Sequence, residues 1–178
     1  MNEMTEVTEN QPSVASVALK YGLLGGLIIV IYTAILMTLG MGTNKLLASL
    51  GYIIMIAALV LAMQNFKKEN HGYMSYGQGL GVGTLASVIM GLLGGIFMYI
   101  YTSFIDPNYM ESIMDQQIAD LEARGMSDEQ IDAAIAMTEK FSNPAMTIVS
   151  SLIGYLVIGF ILSLIISAII KNRRPEFE

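Results

Sequence analysis

From Gly79 to Ile105 the chain reads GLGVGTLASVIMGLLGGIFMYIYTSFI, and it contains no Asp, Glu, Lys, Arg or His. About 20 apolar residues are enough to cross roughly 30 Å of hydrocarbon as a helix, so Leu80–Ile105 spans a bilayer with residues to spare. Within it, Gly79, Gly83, Ser87, Gly91 and Gly95 recur every four residues and fall in one stripe along the helix. Lipid tails are as apolar as leucine, so spanning helices associate by close packing, and a stripe of nearly bare backbone is a helix-packing groove. Gly159, Ser163 and Ser167 repeat the spacing near the C-terminus, and Gly22 and Gly26 near the N-terminus. The groove is expected to seat a helix of the same chain; a second copy or another membrane protein is the alternative occupant.

Three further segments, Tyr21–Leu39, Leu46–Met63 and Met146–Ile170, are also long, apolar and free of charge. Four spans account for the composition: 178 residues, 54% hydrophobic, 13% charged and a mean hydropathy of +0.59. A soluble domain carries about a quarter charged residues. It also leaves roughly 30% of its unfolded surface exposed at this size, so so much apolar surface has no interior to hide in. The expected fold is all-α, an integral-membrane four-helix transmembrane bundle. The absence of cysteine removes disulfides, thiolate metal sites and thiol nucleophiles.

Residues 1–16 carry Glu3, Glu6 and Glu9 and are expected to form an acidic, flexible leader. A secretory signal starts basic and is short, so the first apolar run is taken as a retained span. A single membrane domain follows over residues 17–171, and residues 172–178 form the tail. Lys20, Lys67, Lys68, Lys171, Arg173 and Arg174 fall on one side of the membrane, and Lys45, Arg124 and Lys140 on the other. The cation excess predicts both termini in the cytoplasm, in a cell inner membrane.

Residues 106–144 are of a different kind, with nine acidic and two basic side chains. Asp106-Pro107 predicts a helix start; Met110, Ile113, Met114, Ile118 and Leu121 follow at helical spacing. Gly125 is a stop, and Ser127-Asp128-Glu129-Gln130 has the form of a capping box. Ile131, Ala134, Ile135, Thr138 and Phe141 form a second stripe, ended by Asn143-Pro144. The expectation is an extracytoplasmic amphipathic hairpin, with Tyr99, Tyr101, Phe104 and Tyr109 as an interfacial aromatic belt.

The 64–78 segment holds His71, Lys67, Lys68 and several amides. One histidine without other ligands makes no metal site, and the lysines are sufficient as topology determinants. Gly79-Leu80-Gly81-Val82-Gly83 lacks the preceding strand that a dinucleotide loop requires. The hydroxyls of Thr33, Ser49, Thr84, Ser87, Ser150, Ser151 and Ser163 remain inside the spans, where they are expected to bond to helix carbonyls.

With the spans in place, the chain resembles the DUF4199 family of bacterial membrane proteins, from about Ala15 to Arg174. The resemblance is carried by Lys20-Tyr21-Gly22, by Asn70-His71-Gly72-Tyr73-Met74-Ser75-Tyr76-Gly77-Gln78, and by the acidic insertion before a last span and basic tail. It implies a four-span inner-membrane protein with no established activity, so no catalytic, cofactor or metal residues transfer. Asn70, His71, Gly72, Ser75 and Gly77 become the candidate functional loop. The expected role is a non-enzymatic accessory or scaffold subunit acting through helix contacts, with membrane lipids and a homo-oligomer or another membrane protein as partners and no nucleic acid. A small transporter or channel, and a lipid-active enzyme using the 64–78 loop, are the alternatives.

Overall fold

The computed structural model describes residues 12–140 and 144–173. It contains six α-helices: α1 (Val14–Thr38), α2 (Lys45–Glu69), α3 (Tyr76–Ile100), α4 (Tyr109–Ala123), α5 (Asp128–Lys140) and α6 (Pro144–Ile170). A π-helical turn, Tyr101–Ile105, prolongs α3. Helices α1, α2, α6 and α3 with its π turn are long and apolar enough to cross a membrane, with mean hydropathies of 2.0 to 2.7. Only 22 to 39% of their most apolar windows is buried within the chain. Leu24, Leu27, Ile53, Leu61, Ile153 and Ile165 all face outward. Large apolar side chains on the outside of the bundle are what a hydrocarbon solvent selects, as in a multi-pass membrane protein.

The helix ends follow from local chemistry. The Asn44 side chain accepts from Leu46 N and Leu47 N at 3.0 and 3.2 Å and starts α2. Ser75 and Gln78 form a reciprocal capping box that starts α3. Gly40, at φ +69°, closes α1 as Met41 N reaches back to Leu36 O at 2.8 Å. Gly125 ends α4 in the same way, with φ +74°.

Several sequence expectations shift. Helix α1 begins at Val14, so residues 14–16 of the expected leader are helical; residues 1–11 lie outside the described chain. Helix α2 runs on to Glu69, and α3 begins at Tyr76, so the polar connection between them shrinks to residues 70–75. Helix α4 starts at Tyr109 rather than at Asp106, because Asp106 uses its Oδ1 to accept from Asn108 N at 3.2 Å in a turn. In α5 the return arm of the expected box is present, with Ser127 N donating to Gln130 Oε1 at 3.1 Å. Phe141 and Asn143 lie outside the described residues.

Helix α3 is the hub. It packs most extensively on α6, then on α1, and also meets α2. Helices α4 and α5 pair with each other across the end where α1 joins α2. Lys45 at the start of α2 forms an ion pair with Asp120 on α4. Tyr109 stacks edge-on against Tyr101, with ring centroids 5.4 Å apart. Both rings are buried, so half of the expected aromatic belt faces inward; Phe104 remains exposed. The sequence could not show this, because the π turn adds one residue to the last loop of α3, with Asp106 N bonded to Tyr101 O at 2.9 Å. That extra residue rotates everything after Ile100 relative to a plain α-helix.

Candidate functional site

The glycine stripe of α3 is filled from within the chain. Gly79 faces Ser167, Gly83 faces Ser163, Ser87 faces Gly159, Gly91 faces Tyr155, and Gly95 faces Ser151 and the Ile148 backbone. Each step of four up α3 is matched by a step of four down α6, so the helices run antiparallel in one register. A Cβ on Gly91 would stand 2.7 Å from Tyr155 Cβ, and one on Gly95 only 3.0 Å from Ile148 Cα. On the other side of α3, Gly22 and Gly26 of α1 take Ile89 and Leu93.

Methionines fill the remaining notches. A Cβ on Gly25, Gly83, Gly79 or Gly159 would meet the terminal methyl of Met90, Met63, Met74 or Met55 at 2.6, 2.6, 2.9 and 3.0 Å respectively. Unbranched thioethers adapt to such irregular gaps. Ser87 Oγ donates to Gly83 O at 2.8 Å and Ser151 Oγ to Gly91 O at 3.0 Å, so these hydroxyls are consumed by the helices.

The loop singled out by sequence is built as a turn. Asn70 is buried and its Nδ2 donates to Tyr73 O at 2.8 Å. His71 and Gly72 take positive φ values of 55° and 86°, and His71 is exposed. Ser75 caps α3, and Gly77 has open space around it. The chain after α6 is fastened to this turn. Met74 and Asn172 exchange backbone bonds of 2.8 and 2.9 Å, and Asn172 Nδ2 donates to Gly72 O at 2.9 Å. Lys67 Nζ donates to Ile170 O at 3.0 Å, at the negative end of α6. Asn70, Gly72 and Ser75 thus have defined structural work in the turn.

The space that does gather side chains lies elsewhere. A cleft of about 700 Å³ opens between α1, α3 and α6 beneath the α4–α5 pair. Ile29, Val30 and Thr33 come from α1, and Gly94, Phe97 and Met98 from α3. The amphipathic stripes predicted for the hairpin supply Met110 and Ile113 from α4, and Ala134 and Thr138 from α5; Met137, outside those stripes, joins them. Helix α6 contributes Thr147, Ser150, Ser151 and Tyr155. The lining is apolar with several hydroxyls and contains no Asp, Glu, Lys, Arg or His. Its volume lies within the roughly 300–1,000 Å³ typical of small-molecule sites.

Sequence reasoning named Thr33, Ser150 and Ser151 as intramembrane hydroxyls but not the cleft that joins them, and it passed over Tyr155. The available signal was that Tyr155 is the one tyrosine in α6, set where Gly91 and Gly94 strip α3 of side chains. The ring lies over that bare backbone, with Cε2 3.9 Å from a Cβ on Gly94. A second cavity of about 110 Å³, between α1 and α2, shares Ile29, Thr33 and Tyr155 with the first. Among the described residues, no group of three or more His, Cys, Asp or Glu is placed to hold a metal ion.

No curated protein and no solved structure matches the chain. One family model does, over residues 20–172, from the lysine at the edge of the first span to the asparagine that pairs with Met74, and it is described as a protein of unknown function. With nearly its whole length matched, the chain belongs to the DUF4199 family.

Proposed function

We propose that this is a non-enzymatic, multi-pass protein of the cytoplasmic membrane that holds an apolar or amphipathic molecule in the cleft beneath α4 and α5. The observation that carries the reading is the cleft itself: five helices converge on about 700 Å³ of uncharged, largely apolar space. An accessory or scaffold role through the glycine stripe has less support, because α6 already occupies that stripe. For orientation, Lys20, Lys67, Lys68, Lys171 and Arg173 gather at the end of the bundle opposite α4 and α5. The two outer helices carry Glu111, Asp115, Asp120, Glu122, Asp128, Glu129, Asp132 and Glu139. The positive-inside rule then supports cytoplasmic termini and an extracytoplasmic hairpin.

The test uses Gly94, whose added Cβ would meet nothing closer than 3.7 Å. A Cβ therefore fits there, and Gly94→Leu places further carbons in the cleft that residue 94 lines. The neutral dye N-phenyl-1-naphthylamine is titrated into the full chain held in amphipol, with empty amphipol subtracted. Saturable binding that Gly94→Leu abolishes, at unchanged helix content, is the expected result. Binding no greater than in empty amphipol, or binding indifferent to Gly94→Leu, overturns the reading.

Transport is the second reading, favoured by a smaller cavity on the α2 side that shares Ile29, Thr33 and Tyr155 with the cleft. Proteoliposomes that take up no more solute than empty vesicles would remove it.

A further inference from the structure

The cleft contains three hydroxyls that the protein leaves unused. Thr33 on α1, and Ser150 and Tyr155 on α6, line it and make no hydrogen bond to any described residue. Their neighbour Ser151 is different, since its proton goes to Gly91 O. Nor are Thr33 and Tyr155 sealed among packed atoms, as Thr84 and Ser163 are; both residues line the cleft and also the smaller cavity beside it. A tyrosine hydroxyl in a mostly apolar surround ordinarily has a partner. Here the ring is held in place by the bare backbone at Gly91 and Gly94 while the hydroxyl end remains unpaired.

The surroundings restrict what that partner is. No Lys, Arg or His lines the cleft to neutralise a carboxylate or phosphate, and no Asp or Glu to neutralise an amine. A charged group drawn inside would be desolvated with nothing opposite it. A neutral hydroxyl or carbonyl incurs no such penalty and gains a hydrogen bond. Around these groups Met98, Met110 and Met137 offer flexible, polarisable surface that follows the shape of a hydrocarbon chain. A site with hydrogen-bonding groups waiting for a partner discriminates strongly against analogues that lack it.

We infer that the cleft selects an uncharged amphiphile, with Tyr155 receiving its hydroxyl or carbonyl group and Thr33 and Ser150 assisting. The inference rests on the cleft being a binding site, and adds the ligand's chemical class and the residues that read it.

The experiment displaces bound N-phenyl-1-naphthylamine from the full chain in amphipol with three twelve-carbon probes: monododecanoylglycerol, dodecanoate at a pH where it is ionised, and dodecyl phosphate. Monododecanoylglycerol is expected to displace the dye at least tenfold more effectively than either anion, compared at equal free concentration. Tyr155→Phe keeps the ring and removes the hydroxyl. It should weaken the monoglyceride by roughly three- to tenfold, the loss of one hydrogen bond, while leaving dye affinity unchanged. Thr33→Val and Ser150→Ala give smaller losses of the same kind. Equal displacement by neutral and anionic probes overturns the inference, as does a monoglyceride affinity indifferent to all three substitutions; both leave the cleft standing as a site. Absence of saturable dye binding removes the cleft reading and this inference with it.

Discussion

Ser163 of α6 lies directly against the α-carbon of Gly83 on α3, closer than any side chain at residue 83 would permit. Its hydroxyl is fully buried and has no hydrogen-bond partner. The two residues therefore make opposite contributions. Gly83 permits the approach, whereas the Ser163 oxygen is a polar atom shut away from any partner, a cost of about 1–3 kcal/mol. Gly83→Ala should destabilise the bundle by about 1–3 kcal/mol through overpacking, because its Cβ would also meet Met63 Cε at 2.6 Å. Ser163→Ala should be neutral or stabilising, and Ser163→Gly should recover part of the Gly83→Ala loss. Thermal unfolding in detergent, followed by circular dichroism, measures all three. A Gly83→Ala protein that melts like wild type would show that α6 is not seated as described.

The turn at residues 70–74 and the chain after α6 form one unit, so shortening the C-terminus should loosen a segment a hundred residues away. Removing residues 171–178 takes away Asn172 O, the acceptor for Met74 N at 2.8 Å. Amide exchange at Met74 should then accelerate by roughly five- to tenfold, as expected for losing one net hydrogen bond. Asn172→Ala removes only the side-chain bond to Gly72 O and should leave the Met74 amide protected. Exchange at Met74 that is already fast in the intact chain would refute the linkage.

These pairings mark where the sequence stopped being legible. Spans are a matter of local composition, and Leu80–Ile105 declared itself by having no charge over a bilayer's thickness. Caps are local too, which is why Ser127 and Gly125 could be read directly. The spacing of Gly79, Gly83, Ser87, Gly91 and Gly95 announced a groove, and equal spacing at Gly159, Ser163 and Ser167 hinted at its occupant. No local rule assigns Met90 to Gly25, or Asn172 to Met74, since those choices depend on which helices become neighbours. The cleft is further removed, because it is space left between five helices. The loop at 70–77 attracted attention because its residues are polar and uncommon in such a chain, yet Asn70 and Ser75 are needed to turn the backbone.

The ion pair between Lys45 and Asp120 should matter little for stability despite its position at the contact between α2 and α4. The two side chains are 68% and 39% exposed, and exposed pairs contribute about 0–1 kcal/mol. Asp120→Asn is expected to change the melting midpoint marginally, and high salt should erase the difference. A loss well beyond 1 kcal/mol would mean that the pair is shielded from water in the membrane-embedded protein.

Docking of the outer helices should instead depend on Tyr109. Its ring stacks edge-on with Tyr101, and its hydroxyl rests on the α1–α2 connection, 2.7 Å from where a Cβ on Gly42 would stand. Burial pushes the Tyr109 hydroxyl above its ordinary value of 10.0, and the neighbouring Tyr101 and Asp106 push it further the same way. The docked state therefore retains a proton that the undocked state has released. This contribution is complete below pH 10.0 and is lost as the pH rises above that value toward the raised pKa of the docked form. Tyr109→Phe preserves the stacking and abolishes the titration, so its melting midpoint should fall less steeply than wild type between about pH 9.5 and 11. Tyr109→Ala should also lose the ring contact, lowering stability at every pH by about 3–5 kcal/mol if the site does not collapse. Identical alkaline profiles for wild type and Tyr109→Phe would exclude this hydroxyl as the group that senses pH.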